Sequence, residues 1–536
     1  MDTAPRLLII SHDVVGRRMA GPGIRAWEMA RVLARQQPVA LVAPRPIDIP
    51  APFETGSYTW GQAASLAPRL AQADVVLANG HALAAHPELA RLPVPLALDL
   101  YDPTPLENLE SFRAAPAAQR AARQRADAAL LRAQLQAADF ILCATERQRD
   151  LYIGALLALG RLTPARADAD PQLRGLIDTV PFGLPAEPPV KRAPALRGVL
   201  PGLGEREPLL LWTGGLWDWL DPQTLVAAMP AVLARRPDTH LVFLAGRHPG
   251  DVPPMRAPAE AHALAGELGL LGRSIHFYEE WLPYERRADA LLEADVAVSL
   301  HRAHLETVYA ALRSRFLDHL WAGLPSVVSA GDAAAALVER HRLGRVAPVG
   351  DAAGVARAIL ELLEDDEERA ACGRRARALA GELTWERALA PLARYCARPT
   401  MNREETDDTQ AAAAPPRPAP GASEGDPEAY REKVAALDHL WQVRPQELTS
   451  ALPALGRAKR AANTLTRWYV APIVEQQNTF NAATVHALQA IAETLSRLVA
   501  EQPALRQHLA DIAQHLADID EAQTALARRI AEMRDT

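Results

Sequence analysis

Two doubly wound α/β domains facing a cleft, followed by a linker and a helical coiled-coil tail, are the architecture this chain predicts from three observations. Its first part repeats a short apolar run, a turn of small residues and a helical pattern, the signature of parallel βα units. A second series of the same kind follows a proline-rich stretch, GLPAEPPVKRAPALRGVLPGLGERE. Further on, apolar residues recur in steps of three and four, the spacing of a coiled-coil seam. A chain of 536 residues is too long for a single core, so several domains are expected.

The strands and helices follow in order. RLLIISHD and AGPGIRAWEMARVLARQQ form the first βα unit. VALVAP, DVVLANG, VPLALDLYDP and DFILCAT read as further strands, each ending in polar or small residues where an open sheet presents a crevice. They make a Rossmann-like domain over residues 1–185. PLLLWTGG, HLVFLAG, SIHFYEE, DVAVSLH, PSVVSAG and GRVAPV belong to a second such domain over 186–398. Helices DPQTLVAAMPAVLARR and DAAGVARAILELLEDDEERAACGRRARALA accompany them, and residues 384–398 are expected to return as a helix to brace the first domain. Residues 399–428 hold almost no large apolar side chain and read as a disordered linker. Residues 429–500 read as helical, and Leu488 to Met533 carry the seam, broken only at Gln502 and Gln523. Pro503 restarts the helix for a coiled coil over 503–536, which predicts a homo-oligomer or an assembly with partners. Arg457, Lys459, Arg460 and Arg467 precede Trp468 and Tyr469, a combination that suits either an anionic membrane surface or packing against the adjoining helix.

Bulk properties exclude several classes. The net charge of -7 gives no electrostatic footprint for nucleic acid. Three cysteines, Cys143, Cys372 and Cys396, have neither disulfide-framework nor zinc-ligand spacing, which fits a reducing cytoplasm. The opening MDTAPRLLIISHD is too short an apolar run for a signal peptide, and no stretch of about 18 apolar residues is present to span a membrane. Membrane contact is therefore expected to be peripheral.

Three stretches carry candidate chemistry. In RRMAGPGIRAW, Gly21, Gly23 and Arg25 stand between the first strand and first helix, where backbone amides can approach a phosphate or a sugar hydroxyl; a βα turn that merely needs glycine is the alternative. The stretch matches neither a dinucleotide fingerprint nor a P-loop. LLLWTGGLWDWLDPQTL repeats the logic with Gly214 and Gly215, and Trp217 and Trp219 form either a wall for a sugar or base or part of the core. In ALRSRFLDHLWAGLPSVVSAGD, Arg313 and Arg315 lie at a helix start, where cations oppose the helix dipole unless an anion is present. A diphosphate would resolve that conflict, while Asp318 could accept hydrogen bonds from a ribose diol. Pairing of the arginines with Glu306 or Asp318 is the simpler alternative. Asp168-Ala169-Asp170, a DxD in a polar loop with no preceding strand, is not expected to hold a metal.

AGPGIRAWEMARVLA, LWTGGLWDWLDPQTL and ADVAVSLHRAHLETVYAALRSRFLDHLWAGLPSVVS together resemble retaining GT-B glycosyltransferases of the family 4 type, over roughly residues 5–398. The resemblance implies a nucleotide-diphosphate sugar as donor substrate with no cofactor, and a glycan or lipid-linked acceptor in bacterial surface-polysaccharide synthesis. It implies a cytoplasmic location, peripheral at the inner face of the cell membrane. FLDHLWAGLPSVV places Asp318 at the family's second glutamate, while Ala310 stands in place of the first. The family's Arg and Lys after the glycine turn are missing from GGLWDWLDP, so the diphosphate would need Arg313, Arg315 or Arg247 of FLAGRHP; the absent glutamate implies either that Glu306 or the Arg313/Arg315 pair takes over part of its task or that the donor differs. The family's first-domain histidine is replaced by Asp99 and Asp102; His81 is the nearest histidine by type, and His301 is a further candidate. An epimerase or hydrolase on the same fold and a non-catalytic nucleotide-sugar-binding scaffold are the alternatives.

Overall fold

The computed structural model describes residues 4–244, 246–250 and 255–403. The helical segment, the coiled coil and most of the linker lie outside these residues. The described chain folds around two parallel sheets. The first contains β1 (Leu7–Ile10), β2 (Val39–Ala43), β3 (Glu54–Ser57), β4 (Val75–Asn79), β5 (Leu96–Asp99), β6 (Phe140–Cys143) and β7 (Ile177–Thr179) in the order β3-β2-β1-β4-β5-β6-β7. The second contains β8 (Leu209–Trp212), β9 (His240–Leu244), β10 (Ile275–Tyr278), β11 (Val296–Ser299), β12 (Ser326–Ser329) and β13 (Gly344–Ala347) in the order β10-β9-β8-β11-β12-β13.

Helices cover both faces of each sheet, which is why β1, β2, β5, β6, β8, β11 and β12 are buried along their whole length and are apolar but for Asp99, Ser299, Ser326 and Ser329 at strand ends. Two strands escaped sequence reading. β3 is an edge strand of sequence ETGS with no buried residue, and β7 is only three residues long. The single helix expected over 351–380 is two, Ala352–Glu364 and Asp366–Ala380, because Asp365 leaves the helical conformation and caps the second through the Glu368 amide. Asp168 lies in a short helix, Pro164–Ala169, capped by Thr163, rather than in a loop.

Two details tie the chain together. Tyr395 of the helix Ala390–Ala397 stacks on Phe140 of β6 at 4.4 Å, so the chain's return reaches the first sheet. The order continues beyond the expected linker boundary: the Asn402 and Arg403 amides donate to the buried Asp139 carboxylate at 2.7 and 2.8 Å. A carboxylate removed from water must find donors, and these residues supply them.

In each sheet the strand order reverses once, between β1 and β4 and between β8 and β11. Loops leaving the carboxyl ends of strands at such a point diverge and leave a crevice. Arg25 fixes the upper edge of the first domain. From the helix Gly21–Leu33 it makes two hydrogen bonds to Asp99 at the end of β5, at 2.6 and 2.9 Å, and donates to the Val180 and Pro181 carbonyls after β7. Its side chain is 1% exposed. Breaking a buried pair strands its partner's charge. Arg25→Ala is therefore expected to cost about 3–5 kcal/mol of stability in chemical denaturation, and Arg25→Lys to recover only part, since an ammonium cannot reproduce the guanidinium fork.

Candidate active site

A cleft of about 780 Å³ lies between the carboxyl edges of the two sheets. On the second-domain side, β8 runs into Thr213, Gly214 and Gly215, and Gly214 adopts a left-handed backbone with φ +72°. Arg315 lies over this turn. Its Nη2 donates to the Gly215 carbonyl at 2.6 Å and its guanidinium is 5.2 Å from the Trp212 ring centre. Nη1 is buried without a hydrogen-bond partner, and among the described residues no carboxylate pairs with this arginine. Burial, reinforced by Arg313, presses its pKa down to about 9. It is still cationic at neutral pH.

Arg315 sits in the first turn of the helix Ser314–Ala322, whose N-cap is Arg313 and which no side chain caps. The first amides of a helix have no partner within it and favour an anion. Arg313 is better compensated. Burial opposes its charge, but Glu306, which accepts from Nη2 at 2.9 Å, raises its pKa on balance. The helix ends at Gly323, in the left-handed region with φ +70°. Asp318 lines the cleft and accepts from Arg287 at 3.3 Å, and Arg287 is held over the Tyr284 and Trp321 rings at 3.8 and 4.5 Å. Trp217 lines the cleft as well, stacked on Trp219 at 5.3 Å and 6°.

The first domain contributes residues from the ends of β1, β4 and β5. His12 and His81 lie 5.1 Å apart, and His81 shares a 2.9 Å hydrogen bond with Thr104. Burial lowers both imidazole pKa values, that of His12 to about 3, so both rings are neutral. Asp102 and Glu107 line the same wall. Burial pushes Asp102 up to about 7, with Asp99 and Glu306 adding to the rise while Tyr101 and Arg25 oppose it. Glu107 is raised well above the usual carboxylate range by burial, then by Asp102 and Glu306.

The candidate residues thus divide. Glu306, Arg313, Arg315, Asp318, Gly214, Gly215, Trp217, Asp102, His81 and Gly21 line the cleft. Gly23 is needed for close packing, since a Cβ there would strike the Val14 carbonyl. Arg25 and Asp99 are consumed by their mutual pair. Arg247 is exposed and is not among the residues that line this cleft, although its neighbour His248 is. His301 is buried beside Asp332 at 3.6 Å, also outside it. Glu107, His12, Asp13 and His248 were not singled out in the sequence. The polar ending SHD of the first strand is the signal that would have found His12 and Asp13; Asp13 meets His248 of the other domain at 3.6 Å.

Asp102 generates a pH prediction. Its folded pKa lies above its ordinary 3.8, so the folded state holds the proton more tightly and stability falls as pH rises from about 4 to 7. Asp102→Asn should gain stability over the parent at pH 8, by on the order of a few kcal/mol. The gain should disappear toward pH 4, and denaturation midpoints at the two pH values measure the difference.

Comparison with known proteins places this geometry. Residues 207–365 match the family model for glycosyl transferases group 1. A stretch of 146 residues is 34% identical to phosphatidyl-myo-inositol mannosyltransferase of Mycolicibacterium smegmatis, covering 27% of this chain and 33% of that protein. The chain therefore matches about a third of that relative's length. Sucrose-phosphate synthase from Thermosynechococcus elongatus superposes with a TM-score of 0.53 at 18% identity, over 73% of this chain and 98% of that one. HepE from Anabaena, in complex with UDP-glucose, gives 0.53 at 15% identity over the same shares, 73% and 98%. At these identities the likeness is one of architecture: two parallel-sheet α/β domains facing a cleft, the GT-B fold.

Proposed function

We propose that the chain is a glycosyltransferase that moves a sugar from a nucleoside-diphosphate donor, bound mainly on the second domain, to an acceptor held by the first. The observation that carries this reading is Arg315: a buried cation without a counter-anion among the described residues, at an uncapped helix start, over a glycine turn. A diphosphate supplies the missing charge, with guanidinium and free amide donors converging on its oxygens. The matched family model spans this domain, and both the mannosyltransferase relative and the UDP-glucose complex of a fold neighbour agree with a sugar-nucleotide donor.

The chemistry follows from charge. Breaking the bond between the anomeric carbon and the distal phosphate oxygen leaves negative charge on the diphosphate, which Arg315, Arg313 and the helix amides stabilise as it develops. On a retaining course, the one the family 4 resemblance implies, the acceptor hydroxyl bonds to the anomeric carbon on the leaving-group side and its proton passes to the departing phosphate. No carboxylate nucleophile is required. Glu306 holds Arg313 in place, and closure of the domains excludes water. The acceptor is a glycan or a lipid-linked acceptor of bacterial surface-polysaccharide synthesis, by the same resemblance. No helix among the described residues is long and apolar enough to cross a membrane.

UDP, GDP, dTDP and pyrophosphate in a thermal-shift and calorimetric titration test the phosphate site. At least one nucleoside diphosphate should stabilise the protein. Arg315→Ala should weaken it by roughly ten- to a hundredfold, the loss of charge-assisted hydrogen bonds, while Arg247→Ala, outside the cleft, should bind normally. Equal binding by the Arg315→Ala variant removes the assignment. Release of free sugar at the full rate without any acceptor would favour a hydrolase.

A further inference from the structure

Resting on the donor-site reading, we propose that Arg287 is a positioning residue that fixes Asp318 for a ribose diol, so that the donor is a ribonucleoside diphosphate sugar and 2′-deoxyribonucleotide donors such as dTDP-sugars are disfavoured. Asp318 follows Arg315 by three residues on the helix Ser314–Ala322, which puts it on the same helix face, about 4.5 Å further along the axis. Both residues line the cleft. A nucleoside diphosphate anchored at Arg315 carries its ribose on the proximal phosphate, and one helical turn brings that ribose within reach of the Asp318 carboxylate. The ribose hydroxyls are donors, and an ionised carboxylate has acceptor sites for both.

Arg287 determines how this carboxylate is presented. Asp318 Oδ1 accepts from Arg287 Nε at 3.3 Å, whereas Oδ2 has no hydrogen-bond partner among the described residues, and a quarter of the side chain is exposed. Arg287 itself is not among the residues that line the cleft, so it acts through Asp318. Its guanidinium lies 3.8 Å from the Tyr284 ring centre and 4.5 Å from that of Trp321, and its Nη1 donates to the Tyr284 carbonyl at 3.0 Å. These contacts fix the plane of the guanidinium and, with it, one oxygen of Asp318. Burial pulls the Asp318 carboxyl toward its protonated form, and Arg287 opposes that pull. A carboxylate already oriented and charged loses little freedom when it accepts a hydrogen bond, which is how preorganisation adds affinity. Tyr284 is anchored in its turn: its hydroxyl donates to Glu28 of the helix Gly21–Leu33 at 2.9 Å and its amide to the Arg17 carbonyl at 2.8 Å.

Calorimetric titration of the full chain with matched pairs tests the assignment: UDP with 2′-deoxy-UDP, GDP with 2′-deoxy-GDP, and ADP with 2′-deoxy-ADP. Pyrophosphate, which has no ribose, reports the phosphate site separately. For the base the protein accepts, the ribose member should bind about ten- to a hundredfold more tightly, the worth of a hydrogen bond to a charged group. Asp318→Asn and Arg287→Met should bring that ratio toward one while pyrophosphate is still bound. Arg287→Lys should recover only part of it, because an ammonium keeps the charge but not the planar fork between the two rings. Equal binding of ribose and deoxyribose members by the parent protein overturns the ribose assignment while the phosphate site stands. A parental ratio in Arg287→Met, or in Arg287→Lys should the methionine variant not fold, overturns the positioning role. If neither pyrophosphate nor any nucleoside diphosphate binds, the donor-site reading itself has failed and this inference falls with it.

Discussion

Parallel strands can be joined only by crossovers, and that constraint decides where this molecule's chemistry lies. Every strand of both sheets points its carboxyl end the same way within its sheet. The loops that leave β1 and β4, and those that leave β8 and β11, part at the two reversals of strand order. The groups that converge there come from distant stretches of chain: His12 with His81, Glu306 with Asp102 and Glu107, Gly215 with Arg315. Their meeting is a consequence of topology, because local propensity brings none of these pairs together.

Within the cleft the charges are unevenly matched. Two guanidiniums stand at the positive end of one helix. Arg313 has Glu306, and among the described residues Arg315 has a carbonyl and an indole face. Across from them, burial favours the protonated forms of Asp102 and Glu107. Arg315's charge is thus unmatched by the described residues of the second-domain wall, while burial on the first-domain wall works against ionised carboxyls.

The aromatic and apolar residues give that electrostatic site its shape. Trp217 and Trp219 stack in parallel, His248 lies edge-on to Trp217 at 5.8 Å, and Trp281 extends the array to the first domain by donating to the Met19 carbonyl at 3.3 Å. Low-polarity walls strengthen each charge interaction inside them, so the aromatic array reinforces the electrostatics of the cleft.

How much of this was legible in the sequence follows from the range of the forces involved. Continuous apolar runs bounded by small residues announced most strands, because a strand covered on both faces needs apolar side chains throughout. Edge strand β3, with no buried residue, and the three-residue β7 left no such signature. Arg313 and Arg315 were visible as cations at the wrong end of a helix, a local conflict. Only the tertiary structure separated their roles, giving Arg313 the Glu306 carboxylate and leaving Arg315 over Gly215, a residue 100 positions away. It likewise withdrew Arg25 and Asp99 into a buried pair and brought Glu107 to the cleft. The sequence by itself determined the elements and the kinds of group at strand ends, since these follow from local pattern. Partner choice depended on strand order and burial, which are properties of the whole fold.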